Sequence, residues 1–395
     1  MELLVLITVI LVIVAIAKVM RSNELSTQLT EDEEYVSLSE IKTQGFLYAL
    51  FGFILFATLI MQMVGWGKYI LPVSASEHGD AIDDLFYVTM YLILFVFFVT
   101  HLFLFGFIFK YYKKKGQKAL WYPHNNKIEM LWTVIPAIVL IALVFYGLFT
   151  WDKVMYPKED KNSINVELVG KQFDWTVRYS GKDNVLGEAN FSAITSSNTL
   201  GVLHKVSLDS ALSSTLASIK LLDKKVKELD SLVNKAGWIG KCEELDDAET
   251  QLSAWKANER RLKKLIKQNA NFKASEDDIV LVNDTLWLPK GRTVNFTFRS
   301  KDVIHSAYFP HFRAQMNCVP GMKTVFTFKP RYTAEEMKVE AAKEGKTFRM
   351  YELICNKICG ASHYKMRLPI VVLEQKEFDA KMASKKTFAN EIGLK

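Results

Sequence analysis

The chain has 395 residues, a formal net charge of +7, and hydrophobic residues at half of its positions. That length holds more than one domain. The mild charge, with lysines scattered throughout, leaves no nucleic-acid footprint, and four cysteines are too few for a disulfide framework. The apolar residues concentrate before Trp151, the pattern of a membrane anchor ahead of an extramembrane domain.

Spanning a bilayer takes about 20 mostly apolar residues in a helix. Four stretches meet that requirement: Leu3–Met20, Phe46–Trp66, Leu85–Phe109 and Met130–Trp151. Lys18 and Arg21 follow the first, and Lys110, Lys113, Lys114, Lys115 and Lys118 follow the third. Positive residues stay on the inner side, so the N-terminus and everything after Trp151 are expected on the outer face. The first stretch could instead be a signal peptide, but it has no positive leading region and no clear cleavage site. A retained span is the expectation. Trp66, Tyr69, Trp121, Tyr122 and Trp151 fall at the span ends, as interfacial anchors do. Glu129 stands at the inner mouth of the fourth span, where a first-turn carboxylate favours the helix dipole.

After Trp151 the period changes. Ile164–Val169 and Phe173–Tyr179 alternate as strands do, and Ile279–Val282, Thr293–Arg299, Thr324–Phe328, Phe348–Ile354 and Ile370–Leu373 continue the series. Many short strands with turns such as Pro289-Lys290-Gly291 between them predict a β-sandwich or barrel. One segment, about Val206 to Gln268, interrupts this with a helical period. Leu208, Leu212, Thr215, Ile219, Leu222, Val226, Leu229 and Val233 form a heptad seam. After a turn at 236–240, Leu245, Ala248, Leu252, Trp255, Glu259, Leu262 and Ile266 form a second. The two predict an antiparallel helical hairpin with arms of roughly 40 Å at 1.5 Å per residue. It is either a solvent-facing excursion or a docking arm.

The chemistry concentrates in Cys355-Asn356-Lys357-Ile358-Cys359-Gly360-Ala361-Ser362-His363-Tyr364-Lys365-Met366. Two thiolates, an imidazole and a thioether lie close together in the chain. Soft sulfur with imidazole selects copper or zinc, and the thioether favours copper. His305, after the strand Thr293–Arg299, is placed to join them. Two cysteines can bridge a pair of ions and share one electron between them. A structural zinc on Cys355, Cys359, His363 and His305 is an alternative, and so is a Cys355–Cys359 disulfide. Cys242 and Cys318 are read as thiols outside the ligand set.

Four motifs, in order along the chain, carry a resemblance to a known family. Cys355-x-x-x-Cys359-Gly360-x-x-His363-x-x-Met366 resembles the dinuclear copper A motif of cytochrome c oxidase subunit II. Asp302-Val303-Ile304-His305-Ser306, with Pro310 and Pro320-Gly321, resembles the upstream part of that site. Glu129-x-x-Trp132-Thr133-x-x-Pro136-Ala137 is similar to the start of the family's second transmembrane helix. Val169-Gly170-Lys171-Gln172-Phe173-Asp174-Trp175 is similar to the aromatic strand that opens its soluble domain. Together they span roughly residues 75–395. The first two spans and the helical hairpin fall outside the family pattern.

The resemblance implies an α+β membrane protein: transmembrane helices, then a cupredoxin-like β-barrel with an inserted helical hairpin. The expected domains are an extra transmembrane hairpin (1–70), the subunit II hairpin (71–152), a copper domain (153–205 and 270–374), the insertion (206–269) and a C-terminal tail helix (375–395). It implies copper ligands His305, Cys355, Cys359, His363 and Met366, with the carbonyl of Lys357. It implies Glu129 at the entrance of a proton channel shared with subunit I. It further implies a multi-pass protein of a bacterial inner membrane, with the copper domain periplasmic. Its partners would be subunit I, other oxidase subunits, membrane lipid and a cytochrome c or cytochrome c domain as donor, in a supercomplex or alone. The oxidase reaction itself, oxygen reduction with proton pumping, would take place in subunit I. A membrane-tethered copper-delivery protein is the alternative.

Three departures qualify the resemblance. Lys357 replaces a glutamate that usually helps bind magnesium. Phe173 replaces a tryptophan that usually receives the electron, which turns attention to Trp175 and Tyr308 beside it. Gln315 and Asn317 replace a lysine and an aspartate. Lys290, Arg292, Arg299, Lys301, Arg313, Lys323, Lys329 and Arg331 predict a basic face near the metal loops, which would steer a strongly basic donor poorly.

Overall fold

The computed structural model describes residues 13–22, 25, 38–112, 114, 117–118, 120–236, 239–268 and 272–393. Of the first expected span, Leu3–Met20, residues 3–12 lie outside the described residues and 13–20 are helical. Lys113 and Lys115 also lie outside them. Three described helices are long and apolar enough to cross a membrane: α1 (Leu38–Trp66), α2 (Gly79–Lys110) and α3 (Asn126–Met155). Each extends beyond the apolar stretch that announces it. Their large apolar side chains are mostly exposed, as helices that meet lipid require.

The chain divides into two compact units. One comprises residues 1–65 and 90–135, the other 66–89 and 136–395. Within the first, α1 packs on α2 through aromatic rings. Phe56 stacks on Phe98 with centroids 5.2 Å apart, and Phe51 meets Phe105 edge-on at 5.9 Å.

The described residues of the second unit hold ten strands: β1 (Ile164–Lys171), β2 (Asp174–Tyr179), β3 (Ile279–Val282), β4 (Leu286–Pro289), β5 (Val294–Ser300), β6 (His305–Phe309), β7 (Ala314–Cys318), β8 (Thr324–Phe328), β9 (Tyr351–Cys355) and β10 (Arg367–Leu373). They form two five-stranded sheets, ordered β3-β2-β1-β5-β8 and β4-β10-β9-β6-β7. Pairing is antiparallel except for β1 with β5 and β4 with β10. One apolar core joins the two inner faces. Val166, Leu168, Trp175, Phe296 and Phe298 come from the first sheet, and Leu288, Ala307, Phe309, Leu353 and Ile370 from the second. Phe328 stacks on Phe296 and Phe312, both at 5.0 Å. Each such side chain, fully buried, contributes about 1.5–3 kcal/mol.

β5 and β9 alternate buried and half-buried positions, as one-sided strands do. β1 and β2 do not, because they are buried on both faces. The segment between β2 and the helical hairpin folds over their outer side. Leu200 and Val202 pack there on Val169 and on Phe388 from the C-terminal segment. Beneath this cover lies a buried ionic cluster. Arg178 donates to Glu167 at 2.8 Å, to Asp278 at 3.1 Å and to the Gly187 carbonyl at 2.8 Å.

The hairpin comprises α4 (Lys205–Ala236) and α5 (Ile239–Lys267). α4 alone is roughly 48 Å long at 1.5 Å per residue. Its expected seam is the buried one: Leu208, Thr215 and Leu229 are fully covered, and Leu212, Ile219, Leu222, Val226 and Val233 half-covered. In α5, Ala248, Leu252 and Leu262 are buried, but Trp255 is exposed. Half-buried Asn258, three residues on, faces α4 and donates to Thr215 Oγ1 at 3.3 Å. The hairpin leaves the barrel between strands that are direct neighbours, since Tyr179 pairs with Ile279.

Further differences from expectation have local causes. β4 and β6 have no clear alternation, β7 alternates but is not among the expected strands, and the helix α6 (Ala334–Lys343) is announced only by its Thr333–Glu336 capping box. The strand expected from Phe348 starts at Tyr351, because the Phe348 ring turns onto Tyr351 at 4.7 Å. The single tail helix expected over 375–395 is instead α7 (Gln375–Ala383) and a short turn, Phe388–Glu391. Thr387 caps that turn, and the Phe388 amide is held by the Asp278 carbonyl at 2.7 Å. Residues 394–395 lie outside the described residues.

Candidate metal centre

The ends of β6 and β9 lie side by side at one end of the second sheet, with Ala307 opposite Cys355. His305 opens β6 and Cys355 closes β9. The loop after Cys355 folds back so that the Cys355 amide donates to the Met366 carbonyl at 3.0 Å and the Asn356 amide to Ser306 at 2.9 Å. This returns Cys359, His363 and Met366 to the same point. One ligand atom each from His305, Cys355 and Cys359 lies within 4.8 Å of the others, and all three residues are buried. The two sulfurs are 3.9 Å apart. His305 Nδ1 is 3.9 Å from Cys355 Sγ, His363 Nδ1 is 3.5 Å from Cys359 Sγ, and Met366 Sδ is 3.8 Å from Cys359 Sγ. The Lys357 carbonyl oxygen is 3.2 Å from Cys355 Sγ. The structure thus brings together all six groups that the sequence nominated.

Supporting groups fix this arrangement. His305 Nε2 lies 2.7 Å from Asp302 Oδ1, so a proton there bonds the carboxylate and Nδ1 faces the sulfurs. Burial tends to raise the Asp302 pKa, but hydrogen bonds from the Gln172 amide, His305 and the Val303 amide outweigh it and hold the carboxyl below its usual range. The Gln172 side chain donates to the Cys359 carbonyl. Two glycines make room. A Cβ on Gly170 would stand 2.9 Å from the His305 ring. Gly360 has φ +138°, a conformation L side chains rarely adopt, and a Cβ there would meet Gln172 and Phe173 at 2.9 Å. Asp302 and Gln172 were missed from sequence. The first lies three residues before a nominated histidine, which is a usable signal. The second acts only across the fold.

Burial, with Cys355 beside it, pushes the Cys359 thiol up to about 11. A metal bound here therefore displaces protons. Cys318, opposite His305 in the ladder, is buried, and burial raises its thiol to about 12. Cys242 is exposed.

The residues nominated to receive an electron differ in placement. Phe173 is half-buried against Gly360. Trp175 is fully buried, its ring 6.1 Å from that of His305. Tyr308 lies on the face of β6 opposite Ala307 and Phe309, which point into the core. The rim of the centre exposes Ile358 and Tyr364, with Lys357 and Lys365 beside them. The basic face is smaller than expected. Lys290, Arg299, Arg313, Lys329 and Arg331 each pair with a carboxylate. Glu129 is half-buried in the first turn of α3, where its Oε1 accepts from the Asn125 amide at 3.1 Å.

The donor set bears on which metal fits. Two thiolates, two imidazoles, a thioether and a carbonyl exceed the four ligands of a tetrahedral zinc. They suit a pair of soft ions sharing the sulfurs.

The chain is similar to known proteins of one kind. The family model for the cytochrome c oxidase subunit II transmembrane domain matches residues 48–149. The alternative cytochrome c oxidase subunit 2 of Bradyrhizobium diazoefficiens is 26% identical over 312 residues, covering 79% of this chain and 83% of its own. The cytochrome c oxidase subunit 2 of Thermostichus vulcanus is 22% identical over 324 residues, covering 82% and 80%. Among solved structures, the periplasmic domain of subunit II of cytochrome oxidase (CoxB) of Bradyrhizobium japonicum aligns with 58% of this chain and 96% of its own. The TM-score is 0.28 and the identity 16%.

Proposed function

The chain belongs to the cytochrome c oxidase subunit II family, and from that premise we propose that it takes electrons from a cytochrome c-type donor and hands them to subunit I. It is a membrane-anchored subunit of a haem-copper oxidase. The observation that carries the proposal is the convergence of His305, Cys355, Cys359, His363 and Met366 on one buried point. Two copper ions held by these residues and the Lys357 carbonyl would supply a one-electron relay of low reorganisation.

The chain's own contribution is preorganisation. Asp302 aims His305, Gln172 holds the Cys359 carbonyl, and the barrel core excludes water from the sulfurs. The exposed Ile358 and Tyr364 form the apolar contact for a donor, and Phe173 lies just behind them against Gly360. The barrel would stand on the periplasmic side of a bacterial inner membrane, on a multi-pass anchor. Purified oxidase should show the visible absorption and the paramagnetic resonance of a thiolate-bridged mixed-valence copper pair. Two coppers per chain are expected at the loop, and zinc there refutes the proposal.

Glu129 is proposed as the carboxylate through which protons reach subunit I from the inner side. Its contact with the Asn125 amide leaves Oε2 without a hydrogen bond among the described residues. Glu129→Gln should slow proton-coupled turnover by roughly 10²–10⁴-fold, the usual worth of a proton-transferring group. Copper absorption should be unaffected. An unchanged turnover assigns Glu129 to helix capping alone.

A further inference from the structure

The turn between β6 and β7 carries a feature that the electron-relay reading does not use. Arg313, at its end, has φ +51°, in the left-handed region. That conformation strains a non-glycine residue and persists only where the surroundings hold it. Glycine would adopt it freely, so what is retained here is the side chain. The guanidinium uses all three of its nitrogens. Nε and Nη2 grip the Asp83 carboxylate at 2.6 and 2.8 Å, Nη2 also donates to the Pro72 carbonyl at 2.6 Å, and Nη1 donates to Pro310 at 2.6 Å. The pair is largely buried, at 7% and 19% side-chain exposure. Asp83 lies in the first turns of α2, just ahead of its apolar stretch.

A second fork stands close by. Arg331 binds both oxygens of Asp80, one turn earlier on α2, at 2.6 and 2.7 Å. Between the forks the chain before α2 runs along the barrel like an added strand. The Ala75 amide donates to His311 at 2.7 Å, the Arg331 amide to Ala75 at 2.8 Å, and Ser76 forms a bridge with Pro330. His305 lies at the other end of β6, the strand that leads into this turn, four residues from Phe309. That is roughly 13 Å at 3.3 Å per residue.

We propose that the Arg313–Asp83 fork, seconded by Arg331–Asp80, is the positioning device that fixes the metal-bearing barrel on the start of its membrane helix. The proposal rests on the electron-relay reading for its purpose and on the geometry for its existence. A bidentate pair restrains direction as well as distance, which a backbone linker does not. Lysine cannot reproduce it, because an ammonium offers a point charge and no fork.

The test uses the intact oxidase with spin labels at exposed Asp84 on α2 and exposed Val339 on α6, attached without cysteine chemistry. The native protein should give one narrow distance distribution. Asp83→Asn, which is nearly isosteric, and Arg313→Lys should each broaden or shift it. Transfer from the copper centre to haem should slow as the distance distribution shifts. The copper absorption should be retained. A distribution that stays narrow and unshifted in both variants overturns the proposal. A missing copper signature in the native oxidase overturns the relay reading instead, while the distances still decide the fork.

Discussion

Replacing either thiol of the proposed centre, Cys355→Ser or Cys359→Ser, should abolish the expected paired-copper spectrum and reduce electron delivery from a cytochrome c donor to background. The two sulfurs stand 3.9 Å apart, and each has its own imidazole within 3.9 Å, so neither has a substitute. The hydroxyl of serine is a hard donor where the site needs a soft one. Asp302→Asn gives the graded comparison. It leaves every ligand in place but weakens the restraint on His305 Nε2, and such losses cost about 10–100-fold in metal affinity. Copper titration followed by absorbance separates the two cases. Serine variants that keep the paired spectrum would refute the bridging role. An Asp302→Asn protein with native affinity would show that the ring needs no such support.

Arg178→Met should destabilise the barrel by about 3–5 kcal/mol, the usual result of stranding buried charge. Arg178, Glu167 and Asp278 have side chains no more than 2% exposed, and Arg178 is the cation between the two acids. Arg299, 3.4 Å from Glu167, covers only one of them. The cluster also makes stability depend on pH. Burial raises the Asp278 carboxyl to about 7, against the opposing pull of Arg178 and the Gly187 amide. A folded-state value above the unfolded one of 3.8 means that the folded form binds the proton more tightly. Its stabilising contribution is complete below about pH 4 and is lost as pH rises through 7. The domain should therefore melt lower at pH 8 than at pH 5, and Asp278→Asn should flatten that difference. Thermal loss of the copper absorption measures both effects. A pH-independent native melt would remove Asp278 from the account.

Legibility from sequence followed the range of the forces involved. The metal loop could be read because its ligands are close along the chain and their softness is intrinsic to the side chains. His305 needed only the strand that ends before it. Asp302 is legible only as a close neighbour of His305, and Gln172 could not be read as a support at all, since its bonds to Asp302 and Cys359 exist only once distant segments meet. The membrane helices announced themselves by composition alone. Strands with one wet face, such as β5, alternate and were found. β4 and β6 are too short, and too completely covered, to alternate. The α4 seam kept its heptads, but at Trp255 the period pointed to a residue that Asn258 displaces from the interface.

The hairpin's roots have a mechanical consequence. Ser275, beyond the second arm, donates to the Leu203 carbonyl just before the first at 3.0 Å, so the detour begins and ends at nearly one point. A chain that departs and returns through a single doorway imposes no span on the sheet behind it. The arm can lengthen or shorten by matched whole turns in both helices while the β2–β3 ladder closes as before. Reach away from the barrel is thereby a quantity evolution can adjust without reopening the question of how the barrel folds.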